Sequence, residues 1–109
     1  PIVPKPGSSP SYWRYTVTTE SPIDRRKLKE ALATDGITID WPYDPPLHLQ
    51  PVFQTLFETR PGMLPRSEAA LVRHICLPIH ARMREIDAEQ VTDRLLHHTE
   101  NLSGNTSRI

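Results

Sequence analysis

The chain has 109 residues, enough for one domain, and only 37% of them are hydrophobic, so any core must be small. Its 13 basic and 13 acidic residues cancel, which argues against a nucleic-acid partner and against an anionic membrane surface. The single cysteine excludes an internal disulfide and a zinc site built from several cysteines, and no apolar run is long enough to span a membrane. These features favour a cytoplasmic protein. The missing initiator methionine predicts a processed chain or a piece of a longer one.

Both ends of the chain are poor in apolar residues. Segment 1–11 reads PIVPKPGSSPS and predicts a linker, and segment 100–109 is polar and predicts a flexible tail. The foldable domain is therefore predicted to span 12–99.

The first half of this domain predicts a strand, a helix and a second strand. Segment 12–18, YWRYTVT, is aromatic and β-branched, which is typical of a strand. Ser21 suits the N-cap of the helix that follows, and Gly36 suits its left-handed end. The alternating segment 37–41, ITIDW, predicts the second strand. Apolar residues at helical spacing predict the buried stripe of the helix: Ile23, Leu28, Ala31 and Leu32. Its basic cluster predicts a solvated face: Arg25, Arg26, Lys27 and Lys29.

The second half opens with the proline-rich segment WPYDPPLHLQP, Trp41 to Pro51. Its four prolines prevent regular structure and predict a stiff loop. Residues 52–57 then predict a short helix with both phenylalanines facing inward, and Pro65 suits the start of another helix. Segment 75–79, ICLPI, predicts a buried strand.

The last helix carries N-terminal signals of its own. Asp87 as N-cap and Gln90 three residues later predict a capping box, and Ile86 and Val91 predict a hydrophobic staple around it. Three apolar residues predict its buried face: Val91, Leu95 and Leu96. The complete order of elements predicts an α+β fold, in which a small sheet of three or more short strands is covered on one side by helices.

The five histidines are the first candidates for chemistry, because histidine titrates near neutral pH. His97 and His98 lie near a helix end, and His74 also follows a helix, so contacts with helix C-termini are the favoured interpretation for all three. His80 directly follows a buried strand and remains a candidate for ligand contact. His48 lies in the proline-stiffened loop, where a polar side chain is held at small entropic cost.

A catalytic centre cannot be assembled from the remaining residues. Cys76 lies in an apolar strand, where burial predicts an inert thiol. Neither a GxSxG motif nor a glycine-rich phosphate loop is present. Of the lysines, Lys5 lies in the linker, and Lys27 and Lys29 lie on a solvated helix, so none is placed to form a Schiff base. The chain alone is therefore not expected to catalyse a reaction.

Several segments, taken in order, carry a family resemblance. YWRYTVT, a helix closing with DGI, DWPYDPPLHLQPVF, GMLPRSEAALVRHICLPIH and DAEQVTDRL follow one another over residues 12–96. This run resembles the C-terminal small domain of the DegT/DnrJ/StrS-type sugar aminotransferases. The resemblance implies the small domain of a fold type I enzyme that depends on pyridoxal phosphate. Such enzymes transfer an amino group, usually from glutamate or glutamine, to a keto-sugar that is often nucleotide-linked, or to a keto-cyclitol.

The resemblance also implies partners that this chain lacks. The cofactor lysine and the other pyridoxal phosphate ligands lie in a large N-terminal domain, and the active site forms at a homodimer interface. His48 matches the family's histidine in the PPLHLQP loop, on the substrate side, and Tyr43 occupies a nearby position, so both are candidate substrate-binding residues. We expect His48 to position substrate by donating a hydrogen bond to a hydroxyl or diphosphate oxygen. Glu68 matches an acidic position with a structural role, and His80 matches a histidine whose role stays open.

Three interpretations remain open at this stage. The chain is either part of the aminotransferase described above or a stand-alone module that binds a small molecule or a protein through the His48 loop. A related pyridoxal phosphate dehydratase, in which histidine replaces the cofactor lysine, differs at a position outside this chain.

Overall fold

The computed structural model describes residues 1–104 and shows an α+β fold with a small antiparallel sheet. Strand β1, Tyr15–Thr18, pairs with β2, His74–Leu77, with Tyr15 opposite Leu77 and Thr18 opposite His74. Both strands are shorter than predicted. The register places Val17 opposite Ile75 on one face of the sheet.

The prediction of three or more strands is not confirmed, because the sheet of the described residues has two. Segment 37–41, predicted as a strand, contributes a single bridge between Asp40 and Cys76. Pro42 follows two residues later and has no N–H to donate to a ladder, and Tyr43 adopts a left-handed φ of 69°. The segment thus touches the edge of the sheet once and then turns away.

Helix α1, Arg25–Thr34, begins at Asp24, whose carboxylate accepts a hydrogen bond of 3.1 Å from the Lys27 amide. The prediction of Ser21 as N-cap is therefore wrong; the capping function falls to the acidic side chain next to the helix. The predicted left-handed turn at Gly36 is confirmed by its φ of 76°. After this turn the Ile37 amide donates to the Leu32 carbonyl at 3.0 Å, which satisfies one of the last carbonyls of the helix.

Helix α4, Glu85–Ser103, begins two residues before the predicted N-cap, Asp87, so that prediction is wrong. The N-cap is Arg84, and Asp87 lies one turn inside the helix, where its carboxylate accepts from the Arg84 amide at 2.9 Å. Asp87 thus stabilises the helix start from within. The helix runs through Ser103, into the segment predicted as a tail, 100–109, and the part of that segment after residue 104 lies outside the described residues.

The core lies between the sheet and these two helices. Its buried members come from α1, from segment 37–39 and from β2: Leu28, Leu32, Ile37, Ile39 and Ile75. From α4, Val91 and Leu95 pack against this cluster as predicted, whereas Leu96 is 56% exposed and the prediction of its burial is wrong.

The two short helices between the core elements are exposed. Helix α2, Pro51–Phe57, and helix α3, Pro65–Leu71, contain no buried residue. Phe53 is partly buried and stacks on Phe57 with ring centroids 5.8 Å apart, but Phe57 is 65% exposed, so the prediction of two inward phenylalanines is wrong. Among the described residues, no helix is both long enough and apolar enough to cross a membrane.

Candidate functional site

The proline-rich loop, defined as Trp41–Pro51, is fastened to the core by Arg25. The guanidinium donates to the carbonyls of Leu71 at 2.9 Å and His74 at 3.0 Å, forms an ion pair with Asp44, and stacks 5.2 Å from the centre of the Trp41 ring. The Arg25 side chain is only 10% exposed, so its prediction as part of a solvated face is wrong. One partly buried arginine thus holds the start of the loop against α3 and β2.

His74 supplies a second attachment. It is buried in β2, and its ring nitrogens contact the carbonyl oxygens of Leu71 at 2.9 Å and Pro42 at 2.6 Å. The ring therefore links the end of α3 to the loop, and its predicted contact with a helix C-terminus is found at Leu71.

His48 lies in the middle of the loop, on a short 3₁₀ turn at Leu47–Leu49. Its side chain is 8% exposed, and its Nε2 faces Oε2 of Glu68 at 3.4 Å. That distance is at the long end for a hydrogen bond, and Nε2 has no well-aligned hydrogen-bond partner in the described part of the chain. The backbone of His48 is also held, since its carbonyl accepts a hydrogen bond from the Thr59 hydroxyl.

Glu68 is fixed on the opposite side of this contact. Its carboxylate accepts from the amide of Gly62 at 2.9 Å and from that of Leu64 at 3.2 Å, which closes the turn before α3. The Gly62 hydrogen bond is the main cause that lowers the pKa of Glu68, with smaller contributions from His48 and Leu64. The structural role predicted for Glu68 is seen in these bonds; its contact with His48, twenty residues away in the chain, was not predicted.

The two predicted substrate-binding residues occupy different environments. Tyr43 is 65% exposed, whereas His48 is buried. Within residues 1–104 no hydrogen bond joins their side chains, so the structure brings both to one loop without bringing them into contact.

The other histidines lie outside this loop. His80 is exposed and accepts a hydrogen bond from the Arg82 amide at 3.2 Å, beside an open cleft between the end of α1 and the start of α4.

His98 contacts the Asp35 carboxylate at 2.7 Å. This contact is the main cause that lowers the pKa of Asp35, and Arg94 contributes less. His98 therefore ties α4 to α1, and the predicted contact with its own helix C-terminus is wrong. His97 contacts the side-chain amide of Asn101 at 3.2 Å.

No cofactor site is assembled by these residues. Lys5 is exposed in the N-terminal segment, Lys27 reaches Asp24 at 3.9 Å on the surface, and Lys29 lies 5.6 Å from the centre of the Trp41 ring. None of the three lies in a desolvated pocket of the kind that a Schiff-base lysine needs. The described residues also contain no group of three or more metal-binding side chains. Cys76 is buried, with Sγ 3.6 Å from the Thr16 hydroxyl.

Comparisons with known proteins define the class. The model of the DegT/DnrJ/EryC1/StrS aminotransferase family matches residues 1–96. The crystal structure of a DegT DnrJ EryC1 StrS aminotransferase from Brucella abortus is similar, with a TM-score of 0.62 and 30% identity over 78% of this chain. No curated protein matches the chain.

The fold and the loop are therefore those of an aminotransferase-type domain. The chain belongs to the DegT/DnrJ/EryC1/StrS aminotransferase family. It spans 22% of the length of the Brucella abortus chain. Enzymes of this family generally depend on pyridoxal phosphate.

Proposed function

We propose that this chain is the C-terminal portion of a pyridoxal-phosphate-dependent aminotransferase, which transfers an amino group from glutamate or glutamine to a keto-sugar or a keto-cyclitol. The observation that carries the proposal is the family match over residues 1–96. The keto-sugar is often nucleotide-linked in such enzymes, and the pathway is then the synthesis of a polysaccharide or an antibiotic in the cytoplasm.

The chain is not catalytic alone under this proposal. Its three lysines do not fit a cofactor site, so pyridoxal phosphate is held by a large N-terminal domain of the parent enzyme, where it supplies the chemistry of amino transfer. The residues of this chain bind and orient the substrate. His48 and Tyr43 form part of one wall of the active site, and the remaining walls belong to the large domain and to the second subunit of a homodimer.

The exposed side of α2 supports a partner of this kind. Val52, Leu56 and Phe57 are each more than half exposed, and Leu47 beside them is 66% exposed. Apolar side chains grouped in this way on a small domain mark an interaction surface. We assign this surface to the contact with the large domain or with the second subunit of the parent enzyme, since either would cover these apolar side chains.

The test is the steady-state kinetics of the parent enzyme with His48→Ala. Loss of an orienting contact raises the KM for the keto-sugar, by about tenfold for a contact of about 1.4 kcal/mol, and leaves the reaction with glutamate unchanged. Tyr43→Phe gives a smaller rise in the same KM. His97→Ala, which alters an exposed histidine on α4, is the matched control. An unchanged KM for the keto-sugar in His48→Ala would remove His48 from the substrate wall.

A further inference from the structure

The contact between His48 and Glu68 determines which ring nitrogen of His48 is free for a ligand, an inference that rests on the proposed function of His48. Nε2 is buried and faces the Glu68 carboxylate at 3.4 Å. A buried polar atom without a well-aligned partner is rare in folded proteins and calls for an explanation. Within residues 1–104 the side chain that faces it is the acidic Glu68, and that side chain is held in place.

Glu68 is held by the turn before α3 and not by His48. The Gly62 amide donates to both carboxylate oxygens, at 2.9 Å and 3.1 Å, and the Leu64 amide donates to Oε2 at 3.2 Å. These bonds lower the pKa of Glu68, so the side chain is ionised at neutral pH. An ionised carboxylate has no hydrogen to donate and only accepts.

We propose that Glu68 is a positioning residue, which keeps His48 in the tautomer protonated at Nε2 and leaves Nδ1 as a hydrogen-bond acceptor for a hydroxyl group of the sugar substrate. If Nε2 were unprotonated, its lone pair would face the carboxylate oxygen and repel it. With the hydrogen on Nε2, a neutral ring presents a lone pair at Nδ1. A carboxylate behind a histidine fixes the tautomer and orientation of metal-binding histidines in the same way.

This arrangement changes the group that His48 recognises. A keto oxygen and a phosphate oxygen have no hydrogen to donate, so the Nδ1 lone pair of a neutral ring does not pair with either. A sugar hydroxyl donates to it directly. The expected donation from His48 to a diphosphate oxygen is therefore replaced by acceptance from a hydroxyl, and a deoxy substrate that lacks this hydroxyl binds more weakly.

The test uses the parent enzyme and a double-mutant cycle of Glu68→Gln and His48→Ala. Glu68→Gln raises the KM for the keto-sugar by about two- to tenfold, which corresponds to one hydrogen bond, and leaves kcat with saturating substrate unchanged. In the His48→Ala background the same substitution adds nothing, because Glu68 acts through the ring. Glu30→Gln, at an exposed position of α1, is the matched control.

A spectrum decides the tautomer without reference to activity. In the ¹⁵N NMR spectrum of the histidine-labelled enzyme, His48 shows the Nε2-protonated pattern, and Glu68→Gln weakens it. A wild-type ring protonated at Nδ1, or a Glu68→Gln effect on KM that persists in full in His48→Ala, overturns the inference.

If His48→Ala leaves KM unchanged, the proposed function of His48 fails, and the spectrum still decides whether Glu68 sets the tautomer. If only Glu68→Gln leaves KM unchanged, the positioning role alone fails.

Discussion

The domain has two regions that are held together differently. The core region, α1 and segment 37–39 with β1, β2 and α4, contains four side chains that are almost completely buried: Leu28, Leu32, Ile39 and Ile75. The arm, which we define as residues 41–71, contains His48 as its buried polar residue and no buried residue in α2 or α3. The core region is stabilised by apolar burial, whereas the arm is attached to it by Arg25 and His74 and is held together internally by the Glu68 turn. A region built in this second way is suited to presenting side chains to a partner.

The largest effect is expected in the core region. Leu28→Ala removes a fully buried side chain and should lower the free energy of unfolding by about 3 kcal/mol. Leu56→Ala makes the same chemical change on α2, where the side chain is 66% exposed, and should change it by less than about 0.5 kcal/mol. Denaturant unfolding of both variants measures the difference. Equal losses would contradict the division into two regions.

The attachment of the arm is tested at Arg25. Arg25→Ala removes two hydrogen bonds to carbonyls and the partner of Asp44, and should cost about 2 kcal/mol. Arg26→Ala, at the exposed neighbouring position, is the control and should cost little. Limited proteolysis should then cut the loop 41–51 faster in Arg25→Ala than in Arg26→Ala. Equal cutting would show that the loop is held by other contacts.

A substitution on the exposed side of α2 should weaken association with the large domain and leave the stability of this domain unchanged. Phe57→Asp places a charge at a position that is 65% exposed, so the unfolding free energy should change by less than about 0.5 kcal/mol. Binding to the large domain of the parent enzyme, measured by calorimetry, should weaken at least about tenfold, as expected for an aromatic contact at the centre of an interface. Val3→Asp, at a position of the N-terminal segment that is 83% exposed, adds the same single negative charge and is the control. Unchanged binding in Phe57→Asp would move the interface elsewhere.

The smallest effect concerns acid stability at the start of α4. Hydrogen bonds from the Arg84 side chain and backbone lower the pKa of Asp87 from 3.8 to about 2. Because the folded state binds this proton less tightly than the unfolded state, the stabilisation is complete above about pH 4 and is lost as the pH falls through about 2. The denaturation midpoint of Asp87→Asn should therefore fall less steeply than that of the wild type between these values. Parallel curves would contradict this assignment.

Sequence reasoning succeeded where the signal is local. Gly36 ends α1 in a left-handed conformation because only glycine adopts it without steric cost, and that requirement is visible from the residue itself. Pro65 begins α3 as predicted, because its fixed φ suits the first helical position. Pro51, which was predicted to end the loop, begins α2 for the same reason. The family resemblance was readable because several such segments occur in a fixed order.

The failures have non-local causes. Arg25 is charged and lies among other basic residues, so nothing in the sequence distinguishes it from Arg26. Its side chain is nevertheless only 10% exposed, because it contacts Asp44 and Leu71. Phe57 was predicted to face inward because it is apolar. The sequence pattern of α2 does not show whether an apolar side chain packs against this domain or lies on its surface. The position of His48 was predicted, but its contact with Glu68 depends on the turn at Gly62–Leu64, which brings the two segments together.

The central claim is that this chain forms one wall of an active site completed by other polypeptide. Its most direct test combines this chain with a separately produced large domain that carries the cofactor lysine. Amination of the keto-sugar is followed for each piece and for the mixture, together with the absorption of bound pyridoxal phosphate. The account predicts that the large domain alone binds the cofactor, that amination requires this chain, and that His48→Ala in the mixture raises the KM for the keto-sugar. Equal amination by the large domain alone, or an unchanged KM in the mixture with His48→Ala, would contradict it.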